Sequence, residues 1–445
     1  RNRFGVSEAA SSMPDTPPPL PDPSRAAPNA PIGRNRQFRL LFVCLLVIGA
    51  GNSMLLAVAP PLVRELRLPD SSVGWIFSLS ALLWVLMSPG WGRLSDRIGR
   101  RPVAAFGLGA YAVSMASFGF VVMLGLNGLL AGFWLFTWLM LARAIFGAFG
   151  SASSPAAQAY IADRTTRMER TEQLAGLTAA FALGQAFGPA VCAALAAKFG
   201  LVFPIWLVAV LAAGASFAIW RFLPENTPPQ TERPKGDWRQ SLALMNDKRI
   251  SAYLIYGFAL SVVAGVTVQV FGLFTMDRLN AQGVHGSELT AAGFMVNALA
   301  LLATQMAILP RLKLGPRGLM AWGAGLLALG VGVQIIADTL AALLVAQAIQ
   351  GLGAGLARPG FAGGASVAVQ PHEQGNAAGL VVAANGAGFV FSPLIGGVIY
   401  ETVGMNAPLI IMLVLLIAMM IFALRSRRLR DAVTAEPPPP DTPAA

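Results

Sequence analysis

From Phe38 to Leu424 the chain alternates long apolar runs with short polar breaks. The runs lie near 39–63, 71–93, 102–124, 131–158, 174–197, 201–222, 251–276, 288–310, 317–337, 340–364, 375–400 and 407–425. A helix needs about 20 such residues to cross a hydrocarbon core of ~30 Å. Backbone polar groups find no water there, so each run is predicted to be helical throughout. The pattern predicts an all-α membrane protein of twelve transmembrane helices. A polar stretch over 224–249 parts them six from six, into an N-terminal bundle over 38–223 and a C-terminal bundle over 250–425. That stretch holds Pro228-Pro229 and Trp238 and reads as a linker. A short amphipathic helix from Trp238 to Met245 is expected to lie on the bilayer surface. Residues 1–37 and 426–445 are polar and Pro-rich, the composition of disordered tails. The first tail has no apolar core of its own, so it reads as a cytoplasmic tail and not a cleaved signal peptide. A start at Arg1 instead of methionine implies a trimmed N-terminus.

Composition agrees with a lipid solvent: 55% of residues are hydrophobic, 12% are charged, and the mean hydropathy is +0.62. The net charge of +11 raises nucleic acid as a partner, but the basic residues are scattered between apolar runs with no aromatic-interleaved stripe. Topology explains them better. With both ends placed in the cytoplasm, 26 of the 32 Lys and Arg residues fall on the inner side, and only Arg64, Arg67, Lys198 and Arg278 fall outside. Arg143 and Arg358 remain within spans. This is the signature of a multi-pass plasma-membrane protein, in a bacterium the inner membrane. Cys44 and Cys192 both sit in apolar runs, which excludes a disulfide framework or a CxxC metal site. His285 and His372 are far apart and suggest no metal.

The two halves repeat. Shifted by 204 positions, Ala142-Arg-Ala-Ile145 falls on Ala346-Gln-Ala-Ile349, Gly147 on Gly351, Pro155 on Pro359, Gly184 on Gly388 and Pro189 on Pro393. Spans 4–5 and 10–11 are therefore equivalent, and the bundles are pseudo-symmetric. Paired bundles with a site between them are transporter architecture.

Between spans 2 and 3 lies Gly92-Arg-Leu-Ser-Asp-Arg-Ile-Gly-Arg-Arg-Pro-Val103, five charges in a dozen residues. It must be a tight turn at the membrane surface, with Gly92 and Gly99 allowing close helix approach or positive φ. A solvated topogenic loop is the plain reading of its charges. Its order, G-x-L-S-D-R-x-G-R-R, resembles the signature loop of the major facilitator superfamily. Arg143-x-x-x-Gly147-x-x-Gly150 resembles the span 4 motif of that family's proton-coupled drug exporters, of the tetracycline-exporter type. Gly184-Gln-Ala-Phe-Gly188-Pro189 resembles their antiporter motif, with Cys192-Ala193 where the family continues with a glycine pair. Span 11 carries the later glycines instead, after Gly388 and Pro393. Close packing and helix bending account for these residues as well as a role in antiport does.

The resemblance implies a set of roles. Asp96 would dock on the start of span 11 near Gly375–Gly379, where the helix dipole favours an anion. Arg97 and Arg101 would pair with Asp163, and Gly92, Gly99 and Arg100 complete a cytoplasmic gate. Arg143 would face the central cavity and take part in proton coupling. A guanidinium at that depth costs several kcal/mol unless it meets a partner or water. Asn52, Gln158, Gln185, Gln269, Asn297, Gln347, Arg358 and Asn385 would line the substrate and proton pathway, with Gln305, Gln334 and Gln350 also in spans. No carboxylate lies squarely inside a span; Asp277 and Glu288, at span ends, are each either a proton carrier or an interfacial cap or partner of Arg278. A cavity of amides and arginines suits neutral or anionic polar solutes.

Together these features imply a secondary transporter, exporting a drug-like small molecule by alternating access in exchange for protons. Its partners would be the substrate, protons and the bilayer, and it would act as a monomer. It would need no cofactor or metal beyond a proton gradient. Ala357-Arg-Pro-Gly360 and Pro371-His-Glu-Gln-Gly375 look like exporters of siderophores and related metabolites, so a polar or anionic metabolite is the alternative cargo. A non-transporting receptor would not need the gate cluster. An enzyme is the least expected reading, since no nucleophile–base pair, metal cluster or phosphate loop occurs in the spans.

Overall fold

The structure, a computed structural model, describes residues 34–165, 167–225, 245, 247–312, 314–369, 374–426 and 429. The expected tails, the linker helix 238–245 apart from Met245, and the His372 region lie outside the described residues. Among the described residues there are twelve long helices: α1 (Arg34–Glu65), α2 (Ser71–Ile98), α3 (Arg100–Leu126), α4 (Gly132–Ala148), α5 (Arg167–Phe199), α6 (Phe203–Phe222), α7 (Lys248–Arg278), α8 (Gly283–Ala303), α9 (Pro316–Ile336), α10 (Leu340–Val367), α11 (Gln374–Thr402) and α12 (Ala407–Arg425). α4 resumes after a 3-10 turn as Ser153–Ala162, and α8 passes through a π turn at Thr304–Ile308 into a 3-10 turn at Leu309–Arg311. Eleven of the helices are long and apolar enough to cross a membrane. In α5 the apolar part is shorter, Leu183–Phe199, because Arg167, Glu169, Arg170 and Glu172 occupy its first turns.

Buried apolar side chains form two clusters, one running from Phe38 to Leu223 and one from Ile250 to Leu429. The polar stretch at 224–249 thus falls between two cores. Equivalent helices pack alike in each: α1 on α5, α3 on α6 and α2 on α4 in the first, α7 on α11, α9 on α12 and α8 on α10 in the second. The halves meet along two seams, α2 against α11 and α5 against α8, which exchange under the same repeat.

Charged residues expected in a loop between spans 2 and 3 are mostly helical. α2 runs on to Ile98 and α3 starts at Arg100, leaving Gly99 as the break. Its φ of 106° lies where a side chain is strained, which accounts for glycine there. Gly92 meets neither expectation, since a Cβ on it would touch nothing within 4 Å. Close approach is required in α5, where a Cβ at Gly184 would overlap Leu46 O and one at Gly188 would overlap Ala50 O and Ser53 Oγ. The face of the bundle carrying Gly99 is called here the basic face, and the opposite one the far face.

Candidate functional site

One pocket is enclosed by α7, α8, α9 and α10 in the second half. Gln347, Gln350, Ala354 and Arg358 of α10 line it, spaced three, four and four residues apart, which places them on one helix face. Apolar walls come from Leu260 and Val263 of α7, Phe294 of α8 and Leu327 of α9. Asn297 Nδ2 donates to Gln347 O at 3.1 Å, and Gln350 Nε2 donates to Gln334 Oε1 at 2.8 Å. Those bonds fix the backbone and two of the amides. The Arg358 side chain is exposed and contributes to the pocket lining.

Arg143, at the repeat position of Gln347, is 1% exposed. Its Nη2 donates to Asn52 Oδ1 of α1, and its guanidinium lies over Phe146 at 4.4 Å and Phe77 at 5.2 Å. Ring faces are a favourable environment for a desolvated cation. Arg143 Nε and Nη1, and the Tyr111 hydroxyl, have no hydrogen-bond partner among the described residues. Arg143 therefore points neither to lipid nor into an open cavity.

At the basic face the pairing differs from the expected one. Arg100, 4% exposed, donates from Nε to Asp163 Oδ2 at 3.0 Å and from Nη1 to Ser95 Oγ at 2.7 Å, and forms an ion pair with Asp96 one turn earlier. Arg97 is exposed. Arg101 turns to α6, its backbone N–H donating to Glu225 Oε2 at 2.6 Å and its Nη1 to Leu223 O at 3.4 Å. The break at Gly99 starts α3 with Arg100 aimed back under α2, which rotates Arg101 away from Asp163. Docking of Asp96 near Gly375–Gly379 lies outside the described side chains.

The far face holds a cluster that sequence reasoning missed. Arg64, at the end of α1, donates to Asp277 of α7 from Nη1 to Oδ1 at 2.5 Å and from Nη2 to Oδ2 at 3.0 Å. It also holds Asp70, with Nε to Oδ1 at 3.0 Å and Nη2 to Oδ2 at 2.7 Å. Tyr400 of α11 donates its hydroxyl to Asp277 Oδ2 at 2.6 Å. Beside it the Ser71 N–H at the start of α2 donates to Glu401 Oε2 at 2.9 Å, and deeper in the same seam Leu394 N donates to Ser78 Oγ at 3.2 Å. The expected Arg278–Asp277 pair does not form: Arg278 donates to Ala337 O and Ile335 O and pairs with Asp338. Only the repeat carries a signal, because it makes the ends of spans 1 and 7 equivalent neighbours across the axis.

The remaining candidates scatter. Gln269 is buried, with neither amide atom bonded among the described residues. Asn385 Oδ1 accepts from Ser261 Oγ at 2.6 Å, joining α7 to α11. Gln158 is exposed and donates to Ser154 Oγ at 3.0 Å, and Gln185 is exposed. Gln305 lies in the π turn of α8. Glu288 is 3.5 Å from His285 at the start of α8. A Cβ on Gly388 would crowd Ser261 of α7, and Pro189 and Pro393 lie within α5 and α11.

The sequence matches the Major Facilitator Superfamily model over residues 41–312 and 308–444. This protein belongs to the Major Facilitator Superfamily. The tetracycline resistance protein, class B, of Escherichia coli is 26% identical over 82% of this chain and 89% of its own length. Multidrug resistance protein 2 of Bacillus subtilis (strain 168) is 23% identical over 82% of this chain and 88% of its own. Among solved structures, the nucleoside transporter NupG superposes with a TM-score of 0.70 at 13% identity, covering 87% of this chain and 99% of NupG. The superfamily protein described here is thus a multi-pass membrane transporter and not an enzyme.

Proposed function

We propose that this transporter exports a small molecule from the cytoplasm by alternating access, in exchange for protons. The observation that carries the reading is the pairing of a polar pocket inside the second half with a clasp, Arg64–Asp277, that joins the halves at the far face. Alternating access requires contacts of this kind that hold one face shut while the other opens. The skewed distribution of Lys and Arg supports a cytoplasmic basic face and cytoplasmic chain ends. The tetracycline and multidrug resistance relatives support export as the direction. One chain supplies both bundles, which supports a monomer.

Asp277 is the carboxylate at the centre of that clasp. Arg64, Asp70 and Tyr400 surround it. Breaking its ion pair with Arg64 lets the halves part at the far face and release cargo outward. Arg143 holds α1 to α4 through Asn52, and Arg100 braces α2 and α3 against α4 at the basic face.

Proteoliposomes with an imposed pH gradient test the reading. Flux of a fluorescent cargo that rises with the gradient and collapses with a protonophore is the expected result. Flux driven by sodium and indifferent to pH overturns the proton part, and absence of flux for every cargo class overturns transport.

A further inference from the structure

We propose that the pocket between α7 and α10 takes an elongated organic anion, its carboxylate on Arg358 and a hydrogen-bonding group at its other end on Gln347; the proposal rests on the reading of this pocket as the substrate site. Arg358 is eighteen residues into α10 and nine from its end, or ~27 Å and ~14 Å along the helix, well within a hydrocarbon core of ~30 Å. A cation at that depth needs an anion, ring faces or water. Arg143 has Asn52 and two rings, whereas Arg358 has no hydrogen bond, ion pair or ring contact among the described residues. It contributes that charge to the lining of the pocket.

The lining contains no carboxylate. A cationic cargo would therefore meet the Arg358 charge with nothing to offset it, and an anion would meet no repulsion. The Gln347 amide lies eleven residues away on the same helix face, ~16 Å along the axis. Its side chain has no partner among the described residues, since Asn297 takes only its backbone carbonyl. Between these two ends the walls are mainly apolar, with Val263, Ala264, Leu327 and Ala354, and the Gln350 amide there is bonded to Gln334. A cargo with an acid at one end, an apolar middle and a polar group at the other satisfies all three zones. The repeat sharpens the assignment: the first half places an arginine at the Gln347 position and seats it on Asn52 and two rings, whereas the second half has a pocket there.

A free organic acid and an anionic lipid headgroup share the chemistry Arg358 selects, and the experiment separates them. The probes are three dansyl compounds of nearly equal length: dansyl-6-aminohexanoate, its neutral primary amide, and dansylcadaverine, a cation. Equilibrium binding to the full chain in nanodiscs of neutral phosphatidylcholine should be at least about tenfold tighter for the acid than for the other two, as a charge-assisted hydrogen bond implies. Arg358→Gln should bring the three within about twofold, and Arg358→Lys should keep a preference for the acid, which guards against a folding defect in the first variant. Gln347→Leu should weaken the acid and the amide alike. Equal binding of the three probes, no binding of the acid, or an unchanged preference in Arg358→Gln overturns the proposal. So does loss of acid binding when phosphatidylglycerol replaces part of the neutral lipid, which assigns Arg358 to a headgroup. An acid that binds but shows no flux in proteoliposomes leaves this inference standing and removes the transport reading.

Discussion

Arg64 and Asp277 lie 213 residues apart and meet through two hydrogen bonds at the far face, one at 2.5 Å and one at 3.0 Å. Two-point contact between a guanidinium and a carboxylate is among the stronger polar interactions available to side chains. It ties α1 of one half to α7 of the other. Tyr400 adds α11 to the same carboxylate. Asp277→Asn keeps the shape and removes the charge. A cysteine placed at Ser78, buried deeper in the α2–α11 seam, should then react with an impermeant maleimide about 10- to 100-fold faster than in the parent, the factor that one charge-assisted hydrogen bond implies. An unchanged rate would mean that the clasp does not hold the face shut.

Arg100 and Arg97 provide a contrast at the basic face. Arg100 is buried between Asp96 and Asp163, and Arg97 is exposed. Removing one partner of a buried ion pair leaves an uncompensated charge and costs about 3–5 kcal/mol, while an exposed arginine contributes under about 1 kcal/mol. Arg100→Ala should lower the midpoint of thermal unfolding clearly, and Arg97→Ala should leave it nearly unchanged. Equal effects would refute the pairing.

The helices were legible in the sequence because the apolar runs are long and the breaks between them polar. The boundaries were less so. α2 extends to Ile98 because Ser95, Asp96 and Arg97 are compatible with helix, and Arg100 closes back on Asp96 across the turn. The gate residues were visible as a group, but which arginine met Asp163 depended on the single rotation at Gly99, which no spacing encodes. Arg143 stood out by its depth, and its two ring neighbours, from α2 and its own helix, did not. Arg64 was the largest omission. It looked like a loop charge until the far ends of α1 and α7 were seen side by side.

Arg143 should not tolerate lysine. The planar guanidinium stacks over Phe146 and Phe77 while one nitrogen reaches Asn52, and an ammonium cannot do both. Gradient-driven flux should fall at least about tenfold in Arg143→Lys, a loss of some 1.4 kcal/mol, with insertion into the membrane intact. Flux at the parental level would remove Arg143 from the mechanism.

Two glycines of the first half predict opposite outcomes. A Cβ at Gly184 would overlap the backbone of α1, whereas one at Gly214 meets nothing within 4 Å. Overpacking of this kind costs about 1–3 kcal/mol. Glycine to alanine in a helix with room to spare is instead neutral or favourable by about 1 kcal/mol. Unfolding midpoints in detergent should fall for Gly184→Ala and hold or rise for Gly214→Ala. The same direction for both would show that α5 does not press on α1 as described.

The two seams between the halves, α2 on α11 and α5 on α8, lie on opposite sides of the axis and are images of one another. A body carried on two matched pins tilts readily and resists shear, because sliding would have to break both rows of interlocked side chains together. The matched seams thereby favour tilting over sliding in any movement of one half against the other.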